Sequence, residues 1–176
     1  LSIDGKQLAV GVRELVSHIV IKELDGGPLS KLTTGSSNHW RAAWMPDGRS
    51  VAFVLQPIGP GTNRDIHQRL ADGSRPATLF LDLDENVNKV IFSQDGTWLL
   101  YQTGTVPGQR DLYARRLGSD SSIALATSSA DEMAPALSPD GHWLAYVSNE
   151  SGVPEVYVRP FPNTADGRWQ ISTAGG

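Results

Sequence analysis

The 176-residue chain contains no cysteine, only two methionines and no hydrophobic run approaching membrane-spanning length. Without cysteine there is neither a disulfide framework nor a thiolate metal site. The longest apolar stretch, around Leu8 to Val12, is far below the roughly 20 residues that a transmembrane helix needs, so no membrane insertion by this segment is expected. Lys and Arg number 15 against 19 Asp and Glu, giving a net charge of −4, and the basic residues form no run. Nucleic acid is therefore not an expected partner. What the chain does have is 39% hydrophobic residues, 18 glycines and 11 prolines spread along its length. That composition suits many short strands joined by tight turns.

The chain repeats. Ala136 to Val147 (Ala-Leu-Ser-Pro-Asp-Gly-His-Trp-Leu-Ala-Tyr-Val) has relatives at Ala43 to Val54, at Ile91 to Tyr101 and at Leu1 to Val10. The Asp-Gly glycines fall at 5, 48, 96 and 141, hence spacings of 43, 48 and 45 residues. Each copy is followed by a second shared element: Ile19–Leu24, Asp65–Leu70, Asp111–Leu117 and Glu155–Pro160. A third, short and β-prone, follows at Leu29–Thr33, Ala77–Leu81, Ile123–Thr127 and Trp169–Thr173. In Ser-Pro-Asp-Gly the proline pre-sets φ and the glycine supplies a positive φ, which makes a hairpin turn. The pairs Asp4-Gly5, Asp47-Gly48, Asp95-Gly96 and Asp140-Gly141 read as turn chemistry, because a structural residue must recur in every repeat and a catalytic one need not.

Four strands every 43–48 residues is the signature of a β-propeller. The expected fold is all-β: four blades of four-stranded antiparallel sheet over approximately 1–35, 36–84, 85–129 and 130–176, as one propeller segment. The first blade should lack its inner strand, since only four residues precede Gly5. The chain reads as a fragment of a larger propeller, with self-association through open blade edges the expected hazard.

The repeats resemble the TolB-type, WD-repeat-like propellers of bacteria. The resemblance rests on Ser138-Pro139-Asp140-Gly141, on Trp143 to Gly152 and on Glu155 to Pro162, and it covers nearly the whole chain. Met45, Gln94 and Ile3 depart from its turn motif. The last blade, ending Gly167 to Thr173, also resembles the propeller C-terminal to the kinase domain of bacterial receptor-type serine/threonine protein kinases. That narrower resemblance implies a sensory or interaction domain on the extracytoplasmic side.

No catalytic motif is visible: no kinase phosphate loop, His-Arg-Asp or Asp-Phe-Gly, and no G-x-S-x-G elbow. The segment is expected to be non-catalytic and to need no cofactor. Gly59 to Arg64 begins like a phosphate loop but reads as a long hairpin loop. No His pair has zinc spacing. His67 occupies the slot of Tyr113 and Tyr157, and His142 should be solvated. Trp44, Trp98, Trp143 and Trp169 fall on strand positions and read as packing between blades.

In a propeller the inner strands line the channel and the loops leading into them ring one mouth. The candidate ligand contacts for a protein, peptide or small molecule are therefore Asn38, His39, Trp40 and Arg41, then Asn86, Asn88 and Lys89, and finally Asp131 and Glu132, an acidic pair that could hold a cation. Trp40 beside Arg41 offers an aromatic platform next to a bidentate donor. The other readings are a substrate-gating propeller of a prolyl-oligopeptidase-like peptidase and a channel-based metal-dependent enzyme.

Overall fold

A computed structural model describes residues 1–59, 63–83 and 85–176. The chain divides into two compact units, Leu1–Val90 and Ile91–Gly176. In the first unit, β1 (Gln7–Val12), β2 (His18–Glu23) and β3 (Leu29–Lys31) form a three-stranded sheet in chain order. A four-stranded sheet follows, made of β4 (Asn38–Trp44), β5 (Ser50–Gln56), β6 (Asp65–Leu70) and β7 (Thr78–Leu81). The third sheet holds β8 (Val87–Phe92), which crosses the division, with β9 (Trp98–Thr103), β10 (Leu112–Arg116) and β11 (Ser122–Ala126). The last comprises β12 (Glu132–Leu137), β13 (Trp143–Ser148), β14 (Glu155–Pro160) and β15 (Trp169–Gln170), with a single 3-10 turn at Thr164–Asp166. Chain neighbours pair antiparallel, as β1 with β2, β4 with β5, β5 with β6 and β13 with β14. The architecture is thus four meandering blades, the first without an inner strand.

The hairpin turns show why the repeat has its sequence. Each glycine takes a positive φ, between 65 and 72°, and its N–H closes the turn on the carbonyl three residues back at 2.9–3.0 Å. The aspartate Oδ1 accepts the N–H two residues on: Lys6, Arg49, Thr97 and His142, at 2.9–3.1 Å. In three blades a serine completes the loop, its Oγ accepting a later N–H, as Trp98 N–H to Ser93 at 2.8 Å. The second blade has Met45 there, and Asp47 takes over both duties: it accepts the Ser50 N–H at 2.8 Å and the Ser50 hydroxyl at 2.7 Å. Met45 is thereby free to be buried as a core residue.

These turn carboxylates are held in the charged form. The hydroxyls of Ser93 and Thr97 and the Thr97 N–H bring Asp95 from its ordinary 3.8 down to about 2. Asp4 and Asp140 are lowered too, first by Ser2 and Ser138. Because the folded-state value lies below the unfolded one, the stabilisation is complete above 3.8 and disappears as pH falls toward 2. Asp95→Ala should flatten the melting-temperature profile in that window; an unchanged acid limb would show that the bond contributes nothing.

Each unit has its own core. In the first, Ile19, Ile21, Leu32, Val51 and Phe53 pack together, with Ala9, Ala42 and Trp44 against them. In the second, Leu100, Leu112, Leu125, Leu144, Tyr146, Tyr157 and Phe161 do so. An aromatic pair recurs at one cross-strand position: Phe53 on His67, Tyr101 on Tyr113 and Tyr146 on Tyr157, with centroids 5.7–6.4 Å apart. His67 therefore does the work of its sister tyrosines, and His142 is exposed.

The reading of all four strand tryptophans as packing between blades needs correction. Trp44 and Trp98 are packed, but Trp143 and Trp169 are 43% and 48% exposed and meet each other edge to face. Trp98 leans on Phe161 of the following sheet, whereas the indoles of Trp143 and Trp169, both in the last sheet, cover one another.

Candidate functional site

The expected mouth residues belong largely to strands rather than to the loops before them: Asn38 to Arg41 lie in β4, Asn88 and Lys89 in β8, and Glu132 in β12. Aligned through their Asp-Gly turns, they occupy equivalent positions in three repeats, and the equivalence exposes a division of labour.

Asn38, Asn86 and Asp131 share one position and one task. Their side-chain oxygens accept the backbone N–H groups of Ser17, Arg64 and Gly108 at 2.9, 3.1 and 2.7 Å. The next residue then donates its N–H to a carbonyl of the preceding blade: His39 to Ser17, Val87 to Arg64 and Glu132 to Arg110, at 2.8–3.2 Å. These pairs fasten one blade to the next and satisfy backbone groups that would otherwise be stranded.

His39 and Glu132 follow and are buried. His39 sets its ring edge-on to Phe53 at 5.4 Å and near that of His18 at 6.1 Å. Burial pushes its pKa down, so it stays neutral near pH 7. Burial raises Glu132, against the Ser128 hydroxyl that donates to its Oε1 at 2.6 Å. Among the described residues, no group of three or more His, Asp and Glu is placed to hold a metal ion.

Beyond that point the strands leave regular pairing. The β4–β5 register shifts between Trp40 and Ala43, and Arg41 sits at φ 56°. The β12–β13 register shifts between Met133 and Ala136, with Ala134 at φ 50°. A bulge of this kind frees a residue from the ladder and re-aims its side chain. A positive φ on a residue with a Cβ costs roughly 1–2 kcal/mol, which the surrounding pairing must offset. In β4 the result is an exposed Arg41 beside a half-buried Trp40.

Arg64, which the sequence reading did not select, completes the group. Its guanidinium lies 5.6 Å from the centroid of the Trp40 ring, and its Nε donates to Gln56 Oε1 at 3.2 Å. The sequence held a signal in the pairing Arg64-Asp65 and Arg110-Asp111 at one repeat position, but two copies look like chance. Burial lowers the pKa of both Arg64 and Lys89, and the charge of Arg41 lowers each further. The ion pairs among the described residues are Lys31–Glu14, Arg115–Asp120 and Arg168–Glu150, so none neutralises this group. Arg41 and Arg64 thus stand by one indole and repel each other, and Lys89 is repelled by Arg41 in turn. Arg41 and Arg64 border a cavity of about 600 Å³ that is also lined by Ala9 to Arg13, by His39 to Ala42 of β4, and by Val54 and Asn88. An anionic group entering it would relieve the repulsion. The centre of the loop from Gly59 to Arg64, residues 60–62, lies outside the described residues.

No family model matches the chain. It is 29% identical over 136 residues to the "Protein TolB homolog" of Chlorobium luteolum, covering 76% of this chain and 29% of that protein. It is 28% identical over 148 residues to the "Uncharacterized peptidase YuxL" of Bacillus subtilis, covering 83% of this chain and 20% of that one. The chain thus spans less than a third of either curated relative. Among solved structures, the putative TolB of Agrobacterium tumefaciens superposes with a TM-score of 0.77 at 21% identity, over 97% of this chain and 62% of that one. In sequence the chain is similar to a TolB homologue, and in fold it is a TolB-like β-propeller.

Proposed function

We propose that the chain is a non-catalytic binding scaffold whose contact site is the cationic mouth at Trp40, Arg41, Arg64, Asn88 and Lys89, and that it receives an acidic group of a protein or peptide. The observation that carries this reading is the unneutralised pair Arg41 and Arg64 beside Trp40 at the rim of a cavity, with Lys89 within reach of the Arg41 charge. In a chain of net charge −4, such a cluster is a local exception to the overall field. The strand bulge that presents Arg41 is a local conformational expense, and sites of function are where such expenses concentrate. The likeness of the last blade to propellers of bacterial receptor-type serine/threonine kinases suggests the setting: a sensory or interaction domain on the extracytoplasmic side. A second reading, a substrate-gating propeller of a peptidase, draws on the similarity to the Bacillus protein and would use the same mouth as a filter.

A hexaglutamate peptide should bind at low salt and hexalysine should not. Arg41→Ala with Lys89→Ala should weaken hexaglutamate binding by about tenfold, near 1.4 kcal/mol, and reduce its salt dependence. Titration calorimetry at two ionic strengths measures both. Equal affinity in the double variant would overturn the assignment.

A further inference from the structure

Within the first unit a second cavity, of about 370 Å³, is lined by Thr33 and Thr34 after β3 and by Arg69, Ser74 and Arg75 around the turn from β6 to β7. His39 lines both this cavity and the one at the mouth. Part of the lining has a structural duty. Arg69 donates through Nη1 to the Leu32 carbonyl, through Nε to that of Arg75 at 2.7 Å and through Nη2 to that of Gly73 at 2.8 Å. Arg159 of the fourth blade reaches the Leu125 carbonyl in the same way at 3.0 Å, so this anchoring belongs to the repeat. Three features go beyond it. A guanidinium has five N–H groups; the bonds to Leu32, Arg75 and Gly73 leave two of them, on a side chain already fixed in place. Arg75 stands exposed on the same turn, and neither arginine belongs to an ion pair among the described residues. His39 is 4% exposed, and its Nδ1 is buried without a hydrogen-bond partner. An orphaned polar atom at that depth calls for a partner.

The cavity offers donors and no carboxylate: no Asp or Glu is among the described residues that line it. Thr33 Oγ1 accepts the Ile19 N–H at 2.8 Å, so its own proton is directed elsewhere. Thr34 is exposed. Two arginines and two hydroxyls around one space suit a tetrahedral oxyanion. We propose that this cavity binds a phosphate group, with the two remaining Arg69 N–H groups, Arg75 and the Thr33 and Thr34 hydroxyls as donors and His39 as its buried partner. The site is separate from the mouth and does not rest on the reading of the mouth. A phosphate oxygen accepts, so a proton has to lie between it and Nδ1. Burial above all, and the charges of His18 and His67, hold the free ring neutral against the Ser17 carbonyl. The other charged residues that share a cavity with His39 are Arg13, Arg41 and Arg64 on the mouth side and Arg69 and Arg75 here, all cationic. A bound anion reverses the local sign and favours the charged ring. Asp72, beside the turn, is held in its charged form first by Ser74 and then by Arg69 and Arg75, and it competes with the phosphate for the two arginines.

The test titrates inorganic phosphate into the whole chain at constant ionic strength, read by NMR. Saturating shifts are expected at the Ser74 and Arg75 amides and at the His39 ring, and the His39 titration should move upward. Arg75→Ala should weaken binding by about tenfold. Asp72→Asn removes the competing charge and keeps an oxygen for the Ser74 N–H; it should tighten binding by about threefold. Both positions are exposed, so the melting temperature should hold in each variant. Arg41→Ala with Lys89→Ala should leave phosphate binding unchanged. O-phosphoserine separates the sources: tighter binding than inorganic phosphate identifies a phosphorylated side chain, and weaker binding identifies the free ion. Shifts that chloride reproduces, equal affinity in Arg75→Ala, or a His39 titration unmoved at saturation would overturn the proposal. Loss of phosphate binding in the Arg41 and Lys89 double variant would overturn it too, by placing the ion at the mouth, and would leave the reading of the mouth standing.

Discussion

Phe53→Ala should destabilise the first unit by about 3–5 kcal/mol, the range for removing a fully buried aromatic ring. Phe53 has no exposed surface and packs with Ile19, Ile21, Leu32 and Val51. It also separates two imidazoles, with His39 against it at 5.4 Å and His67 stacked on it at 6.4 Å. Burial lowers both histidines below their ordinary 6.5. Removing the ring opens a space lined in part by polar rings, so water can enter and the desolvation that holds them neutral is relieved. Two readouts should move together: the denaturation midpoint falls, and both imidazole titrations move upward. Phe53→Tyr is the control, because Tyr101 and Tyr146 hold the same repeat position; its effect should be much smaller. A loss under about 1 kcal/mol for Phe53→Ala would mean that the site collapses around the void, contrary to the packing described.

Gly104→Ala should have the second largest effect, about 2–4 kcal/mol on the second unit. Gly104 has a φ of 74°, and an added Cβ would lie 1.9 Å from the Gln109 carbonyl oxygen. The obstacle is backbone, so the loop itself has to move. That loop carries the Gly108 N–H bonded to Asp131 at 2.7 Å and the Arg110 carbonyl that accepts the Glu132 N–H at 2.8 Å. Faster amide exchange at Gly108 and Glu132 should therefore accompany the loss. Gly48→Ala provides the contrast: its φ of 65° is similar, but the nearest atom to the added Cβ is Ile3 Cδ1 at 3.7 Å. There only the conformational term of roughly 1 kcal/mol remains. Equal effects at the two glycines would refute the steric argument.

The blades were legible in the sequence because turn chemistry is local. Asp and Gly act within a few residues of themselves, and their recurrence marks every hairpin. The outer strands were harder to delimit: of the expected Trp169–Thr173 only Trp169–Gln170 is regular strand, since a strand's length depends on its neighbour. The mouth was legible in location but not in roles. Asn38, Asn86 and Asp131 looked like ligand contacts because they are polar and precede apolar runs, yet the N–H groups their side chains bond lie 21 to 23 residues away in sequence. Arg64 was missed for the converse reason, since its contact with Trp40 arises only when two strands are brought side by side.

The bulges of β4 and β12 have a consequence for how such a mouth can change. Next to a residue occupied with fastening the blades and another sealed in the core stands one that both ladders have released. In the three repeats the equivalent position reads Arg41, Lys89 and Ala134, three side chains of different size and charge on one framework. A scaffold so arranged resembles a row of sockets: the pins can be exchanged one blade at a time, and specificity can be rewritten while the fold stays put.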